Sequence, residues 1–282
     1  RRARTEPTVD QTLPEGWGSV TLSMVKETYW SQSQNMTSLS VSYNNSWHGV
    51  SYSLSYSMNK NTQDSDEDGN EVTNDNQFSL SVSVPLDRWM HNTWATYNLN
   101  NTKGGTTQNI GLNGTALKED NLNWNIQEGL SSTGSGNSTS INADYKATYG
   151  EVSAGVSQDK YQQTVNVGLQ GGVVAHANGI TLSQPLGDTI ALVKAPGTHG
   201  THITNQTGVE TDFRGYTVVP FVTAYRHNTI ALDTETLPDN ADVTHAAQIV
   251  TPTRGAVVRA SFNTRVGNRV LMTLTQKGKP LP

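Results

Sequence analysis

The sequence of 282 residues contains no cysteine, little charge and no long apolar run. Without cysteine, the chain can form neither a disulfide nor a thiolate metal site. Charged residues make up only 15% of the chain, and the net charge of −5 excludes the basic surface expected of a nucleic-acid-binding protein. No run of 18 apolar residues is present, so no transmembrane helix is predicted. This absence does not exclude membrane-spanning β-strands, because their sequence signal is weaker and consists of short alternating segments.

Apolar residues account for only 34% of the chain, and small polar residues fill the difference. Serine, threonine, asparagine, glycine and aromatic residues suit strands joined by tight turns. A helical protein would contain more leucine, alanine, glutamate and lysine, and a disordered chain would contain more charge or proline. The composition therefore predicts an all-β fold.

Ten segments in the first 170 residues alternate between apolar and polar side chains. In residues 50–58, valine, tyrosine, leucine and methionine alternate strictly with serine. Because successive side chains of a strand point to opposite faces, each segment predicts a strand with one apolar face. Turn-forming runs such as 100–105, 132–138 and 147–151 predict antiparallel hairpins between neighbours. The predicted strands are 20–24, 39–43, 50–58, 78–84, 95–99, 110–116, 122–126, 141–147, 152–156 and 165–169.

Two features favour a lipid-facing apolar side over the alternative, a soluble antiparallel sheet with one wet face. The polar face is almost purely serine, asparagine, threonine and glycine, which suits a water-filled lumen, whereas a free surface carries more charge. All six tryptophans precede residue 125, and several lie at strand ends, as in the aromatic girdles of membrane barrels. The sequence therefore predicts antiparallel transmembrane β-barrel strands, either of a small closed barrel or of part of a larger one.

The pattern changes within residues 171–189, where alternation gives way to consecutive apolar residues. Segments 189–196, 216–222 and 255–262 are apolar on both faces, so both faces have to be covered. Short strands separated by glycine and proline turns over about 80 residues predict a small β-sandwich. A last strand is predicted at 269–274.

Four long motifs resemble the outer-membrane ushers of the chaperone–usher pilus pathway. They are TLPEGWGSVTLS at 12–23, GGVVAHANGITLSQPLGDTIALVKAPG at 171–197, NQTGVETDFRGYTVVPFVTAYRHNTIALDTETLPDNADV at 205–243 and VTPTRGAVVRASFNTRVGNRVLMTL at 250–274. The residues of these motifs and their order resemble the family closely over 171–282. Over 1–170 the resemblance is looser and depends mainly on the strand pattern and the first motif.

The resemblance implies a secretion pore and assembly platform that accepts periplasmic chaperone–subunit complexes and promotes donor-strand exchange between pilus subunits. It implies three parts: residues 1–184 as later strands of the translocation barrel, 185–266 as the first periplasmic C-terminal β-sandwich domain, and 267–282 as the start of a second such domain. The family's N-terminal domain, plug and earlier strands have no counterpart in this sequence.

The partners that this resemblance implies are pilus subunits, their chaperones and outer-membrane lipid. No cofactor and no catalytic cluster is implied, so an outer-membrane enzyme is disfavoured. The alternative from another class is a soluble surface adhesin or binding protein built of β-sandwiches.

Three histidines in predicted loops are candidate partner-binding residues, because exposed loops of the second domain would hold the chaperone–subunit complex. They are His199, His202 and His227. No carboxylate cluster lies beside the first two in the sequence, so no metal site is predicted there.

The acidic stretch 64–75 matches the opening of a calcium-binding loop. Its candidate ligands are Asp64, Asp66, Asp68, Asn70 and Asp75, with aspartate at the twelfth place where glutamate is usual. Strands flank this stretch, whereas helices flank an EF-hand loop. Two interpretations therefore remain, a low-affinity calcium site and a solvated acidic hairpin loop.

Overall fold

The computed structural model describes residues 2–29, 34–65, 69–134, 136–267, 275–276 and 279–280. Its regular structure is almost entirely β-strand, as the composition predicts, with two short 3₁₀ turns at Pro14–Gly16 and Thr234–Thr236. Among the described residues, no helix has the length and apolar content that a membrane span requires. The chain divides into two compact units. The first comprises Arg1–Ala116, Leu122–Ala143 and Ala154–Asn166, and the second comprises Leu117–Asn121, Asp144–Ser153 and Val167–Pro282.

Twelve strands form one sheet, in which each strand from β3 to β12 pairs with the next along the chain. Both β1 and β2 pair with β3. All ten predicted alternating strands are present, each longer than its alternating segment, and the predicted hairpin turns connect them. The strands are β1 Arg2–Thr5, β2 Thr8–Thr12, β3 Ser19–Tyr29, β4 Gln34–Trp47, β5 Val50–Ser65, β6 Gly69–Pro85, β7 Thr93–Thr102, β8 Gly105–Ala116, β9 Leu122–Ser131, β10 Ser138–Ala147, β11 Gly150–Gln158 and β12 Gln163–Gln170.

The register of the sheet places like side chains opposite one another. Leu54 lies opposite Tyr43 and Leu80, whereas Ser55 lies opposite Ser42 and Ser79. Every apolar row therefore runs across several strands on one face, and every serine row runs across them on the other. The sheet is thus amphipathic as a whole.

The apolar face of this sheet is its more exposed face. On β5, Leu54, Tyr56 and Met58 are 38–42% exposed, while the serines between them are half-buried. An antiparallel sheet in a water-soluble domain shows the reverse, because its apolar side packs on the core. The arrangement agrees with the predicted lipid-facing strands.

Five of the six tryptophans lie at or near the same end of the strands, the end at which odd-numbered strands begin and even-numbered strands finish. Trp47 closes β4 opposite Val50, and Trp94 opens β7 opposite Pro85. Indole rings favour the lipid headgroup region because they are apolar with one polar N–H, so this row fits the predicted girdle. The five are Trp17, Trp47, Trp89, Trp94 and Trp124; Trp30 lies outside the described residues.

The second unit contains short strands in small sheets around two cores, one on each side of β15. The sheet β16-β15-β20 pairs β15 antiparallel with β16 and parallel with β20. Two further pairs are β17–β19 and β18–β21. The strands are β13 Gly172–His176, β14 Gly179–Ser183, β15 Ile190–Lys194, β16 Tyr216–Val219, β17 Asn228–Ala231, β18 Ala241–Val243, β19 Ala247–Val250, β20 Val257–Ser261, β21 Thr264–Val266, β22 Thr275–Gln276 and β23 Lys279–Pro280.

Both faces of the central strand β15 are buried, as its unbroken apolar sequence predicts. Ala191 and Val193 face the larger core, which also contains Ile230 of β17 and Phe262. Ile190 and Leu192 face a smaller core on the opposite side. That smaller core is completed by Val174, Tyr216 and Val218.

The hairpin β13–β14 supplies the cover for this smaller core. It forms a two-stranded sheet of its own and contributes Val174 of β13 to the second unit. The sequence predicts residues 1–184 as membrane strands. In the structure the twelve-stranded sheet ends with β12 at Gln170, and Val174 of the following hairpin lies in a core of the second unit. The three predicted domains stay a prediction.

The strand predicted at 269–274 lies outside the described residues. Just beyond it, β22 and β23 pair with each other. Whether they open a further domain, as the resemblance implies, stays a prediction.

Candidate functional site

The polar face of the first unit contains a cavity of about 900 Å³. Residues Thr12, Leu13, Gly16 and Gly18, around the 3₁₀ turn, line one part of it. Most of the rest is serine and asparagine of β3 to β7, together with Tyr52, Val82 and Thr96. The turn is held by a hydrogen bond from the Tyr43 hydroxyl to the carbonyl oxygen of Trp17, at 2.8 Å.

Side chains on this polar face bond mainly to one another. Ser38 donates to Asn59 Oδ1 at 2.6 Å, and Asn142 donates to Asn125 Oδ1 at 2.9 Å. Hydroxyl and amide groups whose hydrogen bonds are made within the sheet still form a hydrophilic surface. They present no net charge that would bind another protein. A surface of this kind suits a hydrophilic passage rather than a tight binding site.

A second polar cluster lies wholly within the second unit, around His202. The Nδ1 atom of the imidazole contacts Glu119 Oε1, and its Nε2 atom lies 3.3 Å from Glu210 Oε2. Glu119 comes from the turn between β8 and β9, while Glu210 follows His202 in the loop between β15 and β16. The histidine therefore joins a sheet turn to a loop of the small domain.

Backbone groups strengthen the same junction. The N–H of Gly208 donates to Glu119 Oε2 at 3.2 Å, and the Thr148 hydroxyl donates to the carbonyl oxygen of Gly208 at 2.8 Å. Thr148 Oγ1 also accepts from the N–H of Glu210 at 3.3 Å. Two sheet turns, 117–121 and 148–149, are thus hydrogen-bonded to one loop. The bond to Glu119 is the stronger kind, because its acceptor is a charged carboxylate.

This junction is acidic apart from His202, and it borders a cavity of about 690 Å³. Tyr149 lies in the same cavity wall. Burial raises the pKa of the Tyr149 phenol, and the carboxylates of Asp212 and Glu210 raise this pKa further. The phenol therefore stays protonated at neutral pH and keeps its hydrogen-bond donor.

The cluster does not form a metal site. A metal ligand set converges on one point, but the carboxylates of Glu119 and Glu210 approach opposite nitrogens of one ring. In the described part of the chain, no group of three or more histidine, aspartate or glutamate residues is arranged to hold an ion. The arrangement is suited to hold the two segments together.

The three predicted partner-binding histidines differ in exposure. His199 and His227 are exposed, and the His227 ring contacts Thr251 Oγ1 at 2.9 Å. The side chain of His202 is only 20% exposed, so the expectation of an exposed loop residue is wrong for it. No carboxylate cluster lies beside His202 in the sequence, but in space Glu119 approaches it from 83 positions earlier in the chain, a contact that carries no local signal.

Three of the five predicted calcium ligands, Asp64, Asn70 and Asp75, lie in the described strands β5 and β6. Asp66 and Asp68 lie outside the described residues, and Asp64 pairs with Asn70 in the strand register. Asp75 pairs with Asn59, five residue pairs away, which corresponds to about 17 Å along the strand. Asp75 therefore stands apart from Asp64 and Asn70, and a calcium site formed by the other four residues stays a prediction.

The family model described as outer membrane usher protein matches residues 1–262. The chain is 42% identical over 284 residues to the outer membrane usher protein LpfC of Salmonella typhimurium strain LT2, covering 100% of this chain and 32% of LpfC. It is 40% identical over 294 residues to the outer membrane usher protein FimD of Escherichia coli K12, covering 100% of this chain and 33% of FimD. The chain spans about a third of the length of these relatives.

A similar fold is found in a cryo-EM structure of the E. coli P pilus tip assembly intermediate PapC-PapD-PapK-PapG. The match has a TM-score of 0.69 at 22% identity and covers 90% of this chain and 30% of the matched chain. The chain belongs to the outer membrane usher protein family.

Proposed function

We propose that this chain forms part of an outer-membrane secretion pore and assembly platform for pilus subunits. Its first unit supplies later strands of the pore wall. Residues 185–266 of its second unit, a periplasmic β-sandwich, receive complexes of a pilus chaperone and a subunit. The names of the relatives and of the assembly intermediate with a similar fold support this choice of partners.

The observation that carries the proposal is the two-faced sheet of the first unit. The apolar rows are exposed, as lipid-facing residues of a membrane barrel would be. The opposite face consists of small hydroxyl and amide groups bonded to one another, which suits a water-filled passage. A folded subunit can pass such a surface without being held by charge or by apolar patches.

A photoreactive amino acid on each face would test this function. At Ser55, on the polar face of β5, it is expected to capture a pilus subunit in cells that are assembling pili. At the neighbouring position Leu54 it is expected to capture none, because that side chain faces lipid. The readout is the yield of usher–subunit adduct on a denaturing gel at equal usher level. Equal capture at both positions would contradict the proposal.

The chemistry requires no acid, base or nucleophile from the chain. In donor-strand exchange, the N-terminal strand of one subunit replaces the strand that a chaperone has donated to another, and main-chain hydrogen bonds of the new strand give the affinity. The platform accelerates the exchange by holding the two reactants close and oriented, which makes a bimolecular step nearly intramolecular.

The exposed histidines of the second unit are part of the proposed contact with the chaperone–subunit complex. His199→Glu and His227→Glu are expected to lower pilus yield severalfold without changing the amount of usher in the outer membrane, because a bulky carboxylate opposes docking at a fitted surface. His245, in the loop between β18 and β19, is also exposed and provides the matched control His245→Glu. If all three variants give the same yield, these histidines do not contact the complex.

A further inference from the structure

The hairpin β13–β14 exposes a face made entirely of apolar residues. Val173 pairs with Leu182 and Ala175 pairs with Ile180 on this face. Val173 is 62% exposed, Ile180 is 59% exposed and Leu182 is 45% exposed. A hairpin that covers a water-soluble sandwich has a polar outer face. The outer face of this hairpin is apolar instead.

The exposed face belongs to a well-anchored element. The Arg214 guanidinium donates to the carbonyl oxygens of Asn178 and Ile180 and pairs with Asp212 at 3.0 Å. The His176 ring stacks on Tyr216 at a centroid distance of 4.8 Å. The hairpin is thus fixed to the small domain at its tip, and Val174 fixes its middle. Its apolar outer face is therefore a permanent surface of the unit.

The hairpin follows directly on a strand with the same exposed character. On β12, Val167 is 78% exposed and Leu169 is 82% exposed. The four residue-to-residue steps from Leu169 to Val173 span at most about 14 Å. A Cβ atom on the intervening Gly171 would approach Ser183 O to 2.9 Å and Tyr149 O to 3.3 Å. The base of the hairpin therefore lies against a turn at the edge where β12 ends.

Gly150 at the start of β11 lies beside Gln170 at the end of β12. In the proposed barrel a membrane strand ends where hydrocarbon gives way to the headgroup layer, which is about 5–8 Å thick on each side. The hairpin begins at Gly172, two residues beyond the end of β12.

We propose that the exposed face of the β13–β14 hairpin rests on the lipid headgroup layer and anchors the small domain to the membrane surface. This inference rests on the proposed function, because it takes the apolar side of β12 to face lipid. Apolar side chains that penetrate the headgroup boundary from a flat amphipathic element bind membranes in the same way. The face contains no charged residue that would oppose this insertion.

Three valines allow a matched test, since these 282 residues contain no cysteine and any cysteine elsewhere in the full-length usher is first replaced with serine. They are Val173 on the hairpin, Val167 on β12 as lipid-facing reference, and Val257 on β20 as an equally exposed control at 59%. Each is replaced with cysteine in the full-length usher and labelled with the fluorophore NBD. The usher is reconstituted in phosphatidylcholine vesicles with and without a headgroup spin-labelled phosphatidylcholine.

NBD at Val173→Cys is expected to be quenched by the spin-labelled lipid at least roughly half as strongly as at Val167→Cys, while Val257→Cys stays unquenched. Quenching at Val173→Cys no greater than at Val257→Cys overturns the anchor. If a chaperone–subunit complex then shields Val173→Cys from aqueous iodide, the face is a protein-binding surface instead. Absence of quenching at Val167→Cys would show that β12 does not face lipid, and it would overturn the proposed function separately.

Discussion

Replacing Phe262 with alanine is expected to lower the free energy of unfolding of the second unit by about 3–5 kcal/mol. Phe262 is 4% exposed and follows β20 into the larger core, where it packs with Val193 and Ile230. Its N–H donates to the carbonyl oxygen of Lys194 at 2.8 Å, so the backbone cannot move to fill the cavity without losing this bond. For a domain stabilised by about 5–15 kcal/mol, the loss is a large fraction of the total.

The measurement is the urea concentration at which half of the second unit becomes open to protease, with the first unit held in vesicles. Phe213→Ala is the control, because Phe213 is 77% exposed and the Arg214 guanidinium lies over its ring, 5.4 Å from the ring centroid. Loss of an exposed cation–π contact costs about 0.5–1 kcal/mol. If the midpoint falls equally in the two variants, Phe262 does not pack in the core that the structure describes.

The membrane strands could be predicted from the sequence because their signal is local. Alternation of apolar and polar residues fixes which side chains share a face, and a turn of a few residues fixes the partner strand. In the β4–β5 hairpin, Trp47 pairs with Val50 across a two-residue turn, and every pair up to Gln34 and Gln63 follows from that one register. No distant contact is needed to place these residues.

For the small domain, the sequence predicts the fold class but not which strands pair or pack together. The unbroken apolar run of β15 shows that both faces are buried, but it does not show what buries them. The parallel pairing of β15 with β20 joins Ile190 to Val257, and the hairpin β13–β14 covers the other face. Both contacts depend on tertiary structure, which a period of two in the sequence does not encode.

The His202 junction was hidden from sequence reasoning for the same reason. Glu119 lies in a turn between two membrane strands and resembles any solvated carboxylate until the loop that contains His202 is placed beside it. Thr148 is likewise an ordinary turn residue in the sequence. The local signal at the junction is the glycine that closes the turn-forming run 205–208.

Gly208→Ala is expected to separate the loop of residues 200–210 from the two sheet turns. Gly208 has a φ of +70°, and a Cβ atom there would lie 2.2 Å from the carbonyl oxygen of Lys146, a backbone atom that cannot turn aside. The left-handed conformation alone costs about 1–2 kcal/mol in alanine. Moving the loop also breaks the bonds of Gly208 to Glu119 and Thr148, at about 1 kcal/mol each or more. The expected total is roughly 3 kcal/mol or more.

Amide hydrogen exchange of the full-length usher measures this separation directly, because the N–H groups of Gly208 and Glu210 are protected by Glu119 and Thr148. Exchange of the peptide around residues 205–212 is expected to rise by about a hundredfold, since 1.4 kcal/mol corresponds to a factor of ten. Gly200→Ala is the control: its φ is +71° in the same loop, but a Cβ there meets no atom within 4 Å. That variant bears the conformational cost without the collision, so its exchange should rise at most about tenfold or twentyfold. Equal acceleration of exchange in both variants would contradict both the close approach of Gly208 to the Lys146 carbonyl oxygen and its hydrogen bond to Glu119.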